Sequence, residues 1–226
     1  MLNFGQDIAQ IGGWLTKEEG EFLYGSAKNL SKNTKIVEIG SWKGRSTICF
    51  GKGAQDGSGT AVYAIDPHIG SSEHKKWFGE VNTYREFKEN ISNAGIAKYI
   101  QPIKKTSEEA EKDFIGGADF VFVDGAHEYE FVKKDFELWF PRLKDGGIMA
   151  FHDCWHAPGV QLLTAQILLS SYRIRRPKLL DTLTIIEKVK QNTILDRVYN
   201  FIFVLYRLFF GWVGTIKMDN FGTVLK

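Results

Sequence analysis

Five short apolar runs, separated by segments whose apolar residues recur at helical spacing, set the tightest limit on what this chain can fold into. Lys35–Gly40, Thr60–Asp66, Tyr99–Ile103, Ala118–Asp124 and Gly147–His152 are rich in β-branched and aromatic residues and read as buried strands. Thr16–Leu30 reads as a helix before the first of them. Arg45–Gly51, Tyr84–Ala94, Ser107–Phe114 and Tyr129–Leu143 read as helices between them, and another helix follows Gly159 to about Leu169. A late strand is expected at Thr182–Glu187. Strands alternating with helices specify an α/β protein: a Rossmann-like, doubly wound, mostly parallel sheet with helices on both faces.

With 226 residues and 43% hydrophobic content, the chain can bury one sizeable core, expected over residues 1–190, beside a helical tail over 191–226. A net charge of +2 gives little electrostatic basis for nucleic-acid binding, and the short basic group Arg173, Arg175, Arg176 and Lys178 reads as a solvated face. Cys49 and Cys154 lie within patterned apolar segments without metal-type pairing, which suits free thiols in a reducing compartment. The opening residues lack a basic start followed by an apolar run, so a cytoplasmic location is expected.

Two stretches fall outside the alternation. Pro67–Thr83, with Trp77 and Phe78, has the length of a lid or binding loop or of a surface insertion. Leu195–Val213 carries Arg197, Asn200, Arg207 and Gly211 on one narrow helical stripe, leaving a broad apolar face. The run is too short, and Arg207 too central, for a membrane span. Three roles stay open for it: an interfacial membrane contact, a homo-oligomer surface, or packing against the chain's own core.

In open α/β sheets ligands bind beyond the carboxyl ends of the strands, so the acids there are the candidates for chemistry. Glu38 precedes Gly40 and Gly44, and these glycines let backbone approach a ligand where a helix begins. An acid at that point suits a cationic ligand better than a pyrophosphate. S-adenosylmethionine (SAM) carries an ammonium and a sulfonium, and its carboxylate suits a helix N-terminus flanked by Ser41 and Ser46. Asp66 closes the second strand, where a carboxylate accepts ribose hydroxyls. Asp124 and Asp153 follow the fourth and fifth strands and can converge on one cation, with His127 and His152 on the same rim. Alone, Asp124 reads better as a cap of the following helix, and His127 and His152 on the same rim shift the reading toward a cation site.

The strings Ile36–Ser46 (IVEIGSWKGRS), Ala64–Pro67 (AIDP), Val123–Tyr129 (VDGAHEY) with Lys134, Asp135 and Trp139, Leu143–Gly147 (LKDGG) and His152-Asp153 resemble the class I SAM-dependent methyltransferases. Within that superfamily they are similar to the branch of macrocin-type O-methyltransferases and cephalosporin hydroxylase-like proteins. The resemblance implies a seven-stranded sheet whose last strand is antiparallel, SAM contacts at Glu38, Gly40 and Asp66, and adenine contacts near Ser107. It also implies a magnesium site on the acids ending strands four and five. Here His152 stands where relatives often carry a second acid. Imidazole suits softer divalent metals than magnesium, and it can also orient a ligand from behind.

The function expected is metal-assisted O-methylation of a small-molecule hydroxyl, sugar or phenolic. Asp124, Asp153 and His152 would hold the cation, Asp124 would also face SAM, and His127 would act as general base. Trp77, Phe78 and Trp155 suggest a ring-faced acceptor pocket. A non-catalytic scaffold or membrane-associated protein is the alternative. Tyr129-(x)3-Lys133 matches a dehydrogenase spacing, but no Gly-x-Gly-x-x-Gly follows the first strand, and no Gly-x-Ser-x-Gly elbow supports a hydrolase.

Overall fold

In the computed structural model, which describes residues 2–71, 76 and 79–210, the apolar runs form one sheet in the order β3-β2-β1-β4-β5-β7-β6. The strands are β1 (Lys35–Ile39), β2 (Ala61–Ile65), β3 (Ile100–Ile103), β4 (Ala118–Val123), β5 (Leu143–Phe151), β6 (Ile174–Leu180) and β7 (Leu183–Lys188). The helices are α1 (Lys17–Asn29), α2 (Arg45–Asp56), α3 (Tyr84–Asn93), α4 (Ser107–Asp113), α5 (Tyr129–Arg142), α6 (Pro158–Ser170) and α7 (Ile194–Phe210). Strands β1 to β5 pair in parallel, and β7 runs antiparallel to both β5 and β6. The expected antiparallel last strand is therefore present.

Strand alternation divides the core in two. Val37, Ile39, Val121, Val123 and Phe151 pack with Trp139, Leu163 and Phe203 beneath α4 to α7. Ile36, Phe120, Phe122 and Ala150 pack with Leu23, Ile48, Phe50 and Phe87 beneath α1 to α3. In-register pairing of Ile39 with Ile65 and with Val123, and of Val123 with Phe151, brings Gly40, Asp66, Asp124 and His152 to one edge of the sheet.

The basic group is solvated as expected, with Arg173, Arg176 and Lys178 exposed and Arg175 half-buried, and from Arg175 on it lies on β6, the edge strand next to β7. Edge position and a register shift between Arg175 and Lys178 explain why Pro177 is tolerated, and Glu187 pairs with Arg175 at 2.6 Å. Of the polar stripe on α7, Arg197 is exposed while two members turn inward: Asn200 donates to the carbonyl of Ile174 at 3.0 Å, and Arg207 to Thr164 Oγ1 at 2.8 Å, flanking buried Phe203 and Val204, which is the core-packing role among those left open. Its exposed side carries Leu195, Phe201, Leu208 and Phe209. No helix among the described residues is long and apolar enough to cross a membrane. Gly211, Val213, Trp77 and Phe78 lie outside the described residues.

Candidate active site

Because Glu38 shares a strand face with Ile36, it points beneath the first turn of α2, not outward. It is fully buried, and the hydroxyls of Ser46 and Thr47 donate to its two oxygens at 2.5 Å each. Burial pushes its carboxyl up to about 8, against those two hydrogen bonds. The acid expected to meet a cationic ligand is thus turned onto α2 and away from the cleft walls. Gly40 is where glycine is indispensable. Its φ is +89°, and a Cβ there would lie 2.0 Å from the carbonyl oxygen of Asp124. Gly44, the N-cap of α2, is also left-handed, with φ of +92°.

Asp66 accepts the backbone N–H groups of Trp42 at 2.7 Å and His68 at 2.6 Å. Both residues sit at positive φ, +46° and +60°, so Asp66 holds two strained loops in place. His68 is buried, with Nδ1 2.9 Å from Thr83 Oγ1. Ser41 Oγ is buried without a hydrogen-bond partner on the cleft wall.

Across Gly40, the chain gathers ionisable groups. His152 Nδ1 lies 3.0 Å from Asp124 Oδ1 and 3.1 Å from Asp153 Oδ2, and its Nε2 lies 3.2 Å from Glu19 Oε2. Burial opposes charge on this imidazole, yet Asp124, Asp153 and Glu19 together hold it well above the ordinary histidine range. Burial likewise works to raise Asp153 and Glu19, but their histidine neighbour and hydrogen bonds leave both below the usual carboxylate range. His127 Nε2 lies 3.3 Å from Asp153 Oδ2. Ligating atoms of Asp124, His152 and Asp153 fall within 4.8 Å of one another, so a carboxylate–imidazole–carboxylate set with the reach to share a cation is present.

Two clefts meet over Gly40, Trp42, Asp124 and Gly125. The smaller, about 320 Å³, is walled by Asp66, Thr106, Ser107 and Asp135, the region expected for adenosine. Ser107 Oγ there accepts from Trp139 Nε1 at 2.8 Å, and burial raises Asp135 to about 6. The larger, about 760 Å³, contains Ser41, Ser46, His127, His152 and Asp153.

Several residues that shape the site were missed in the sequence. Glu19 was legible as the last member of the capping box Thr16-Lys17-Glu18-Glu19. The Gly13–Thr16 segment walls the larger cleft, held by Arg45, whose guanidinium donates to the carbonyls of Ile11 at 2.7 Å and Leu15 at 2.9 Å. Gly159 fits where a Cβ would lie 2.3 Å from the carbonyl oxygen of His127. Trp155 donates to the carbonyl of Asp181 at 2.7 Å, whereas Trp14 and His156 stand on the cleft wall. The Tyr129 hydroxyl is bonded to Gln166 on α6 at 2.5 Å, and Lys133 lies over the Tyr129 ring, so this pair braces helices.

This strand order, with clefts at the carboxyl edge on both sides of the β1–β4 junction, defines a class I SAM-dependent methyltransferase fold. The chain belongs to the family described as "Methyltransferase domain", whose model matches residues 37–154. It is 34% identical over 121 residues to the uncharacterized protein y4gI of Sinorhizobium fredii, a match covering 53% of this chain and 13% of that protein. The chain thus spans about an eighth of that relative's length. Among solved structures, the O-methyltransferase NovP superposes with a TM-score of 0.63 at 14% identity, over 76% of this chain and 80% of NovP. An O-methyltransferase from Bacillus cereus in complex with SAH superposes with a TM-score of 0.58 at 16% identity, over 82% and 86% of the two chains. These likenesses are of fold.

Proposed function

We propose that this chain transfers the methyl group of SAM to a hydroxyl of a small-molecule acceptor, a sugar or phenolic compound, bound in the larger cleft. The observation that carries the reading is the junction of the two clefts at Gly40, with Asp124, His152, Asp153 and His127 gathered beside it. The unpartnered Ser41 hydroxyl and the glycine-lined turn after β1 fit the amino-acid end of SAM, and the Asp66–Ser107 cleft fits its adenosine. SAM supplies an electrophilic methyl on a sulfonium. A divalent cation, for which Asp124, His152 and Asp153 offer ligands, supplies Lewis acidity that lowers an acceptor hydroxyl's pKa.

Glu38 anchors the first turn of α2 through Ser46 and Thr47, and Asp66 anchors Trp42 and His68, so the wall around SAM is set before binding. His127, oriented by Asp153, takes the hydroxyl proton as the acceptor oxygen attacks the methyl carbon and the carbon–sulfur bond breaks. Gly13–Thr16 and His156 wall the larger cleft beside the acceptor position.

The test is calorimetric titration with SAM, followed by transfer of isotope-labelled methyl to a panel of sugars and phenols with and without chelator. Micromolar SAM binding and chelator-sensitive labelling of an oxygen are expected. Absence of SAM binding would overturn the reading, and labelling indifferent to chelator would remove the metal from it.

A further inference from the structure

We infer that the site on Asp124, His152 and Asp153 selects a borderline transition-metal ion over magnesium, and that Glu19, from outside the family-matched segment, enforces this by fixing the tautomer of His152. The inference rests on the reading of Asp124 and Asp153 as cation ligands.

Glu19 is fully buried in the first turn of α1. Its Oε1 accepts the backbone N–H of Thr182 at 3.0 Å and the Thr182 hydroxyl at 2.6 Å, and its Oε2 accepts the N–H of Thr16 at 2.9 Å. A carboxylate surrounded by donors in this way is an acceptor only. His152 Nε2, 3.2 Å from Oε2, therefore carries its hydrogen toward Glu19.

The other nitrogen is then the one available to a cation. His152 is 3% exposed, and its Nδ1 has no hydrogen-bond partner although it stands 3.0 Å from Asp124 Oδ1 and 3.1 Å from Asp153 Oδ2. Two ligands about 2.1 Å from one ion and at right angles to each other are about 3.0 Å apart, so these separations are those of neighbouring positions around a metal. The carboxylates that favour a proton on Nδ1 in the metal-free site favour an ion in its place, and an ion between the three groups satisfies all of them. Magnesium favours oxygen ligands and water, whereas imidazole binds manganese, iron, cobalt or zinc increasingly well. A carboxylate behind the imidazole strengthens it as a ligand.

The experiment titrates the metal-stripped full chain with Co(II) and with Mg(II) by calorimetry and follows the visible absorption of bound Co(II). Co(II) is expected to bind at least about 100-fold more tightly than Mg(II). Glu19→Gln is expected to weaken Co(II) by about 10- to 100-fold and shift its absorption bands, leaving Mg(II) within about threefold. Since Glu19 also ties α1 to the β6–β7 turn, His152→Asp provides a second variant: an all-oxygen set should bring the two ions to within about tenfold. Comparable affinities in the unaltered chain, or a Co(II) affinity and spectrum unmoved in folded Glu19→Gln, would overturn the inference. SAM titration of the same samples separates the two readings: SAM bound without metal preference sinks this inference alone, and no SAM binding sinks the methyltransferase reading.

Discussion

Glu38 and Asp66, at the ends of β1 and β2, commit their oxygens to the protein's own hydroxyls and amides, whereas Asp124 and Asp153, after β4 and β5, face histidines at the edge of a cleft. The four look alike as strand-end acids. The difference lies in what the next loop returns. After β1 the chain turns straight into α2 and brings donors back over Glu38, while the loop after β4 carries His127 to the rim occupied by β5 and its His152. One half of the edge is a pre-set scaffold, and the other gathers two carboxylates and two imidazoles beside the cleft.

Gly40→Ala should break both halves at once, because its Cβ would collide with the Asp124 carbonyl and its φ is left-handed. A loss of about 4 kcal/mol or more in denaturant unfolding, or no folded protein, is expected. Asp124→Ala should abolish cation binding by about 100-fold or more while the chain stays folded, read by metal calorimetry and circular dichroism. Asp66→Ala should do the reverse. It strands the Trp42 and His68 amides at a cost of about 1–3 kcal/mol and weakens SAM binding, with cation affinity moved less than about threefold.

The finest test of the contrast is the pH dependence carried by Glu38. Its folded-state value is raised from 4.5 to about 8, so the folded state holds the proton more tightly than the unfolded one. The stability from this group is fully present below about 4.5 and is lost as pH rises through about 8. Glu38→Gln mimics the protonated carboxyl and should flatten the fall in thermal midpoint over that window, by roughly 2–4 °C for each kcal/mol involved. An unchanged pH profile would mean that Glu38 titrates alike in the folded and unfolded chain.

Most of the sheet was legible because β1, β2, β4 and the latter half of β5 are largely buried and read as apolar runs. The β6 strand was not, because an edge strand with arginines and a proline carries no such run. Asp124, His127, His152 and Asp153 were legible as a group, since each follows a strand end on the carboxyl edge. Glu19 was not, for although its capping box marks a helix start, nothing local connects it to a histidine 133 residues away.

The order of residues by itself determined the α/β alternation, the glycine turn after β1 and the placing of four acids at one edge of the sheet, since strand period and turn chemistry are local properties. Which oxygens stay open, which way α7 faces, and that an N-terminal helix reaches the His152 imidazole were decided only in three dimensions. Those outcomes depend on which donors the fold returns to each carboxylate, and that is a property of packing between segments far apart in the chain.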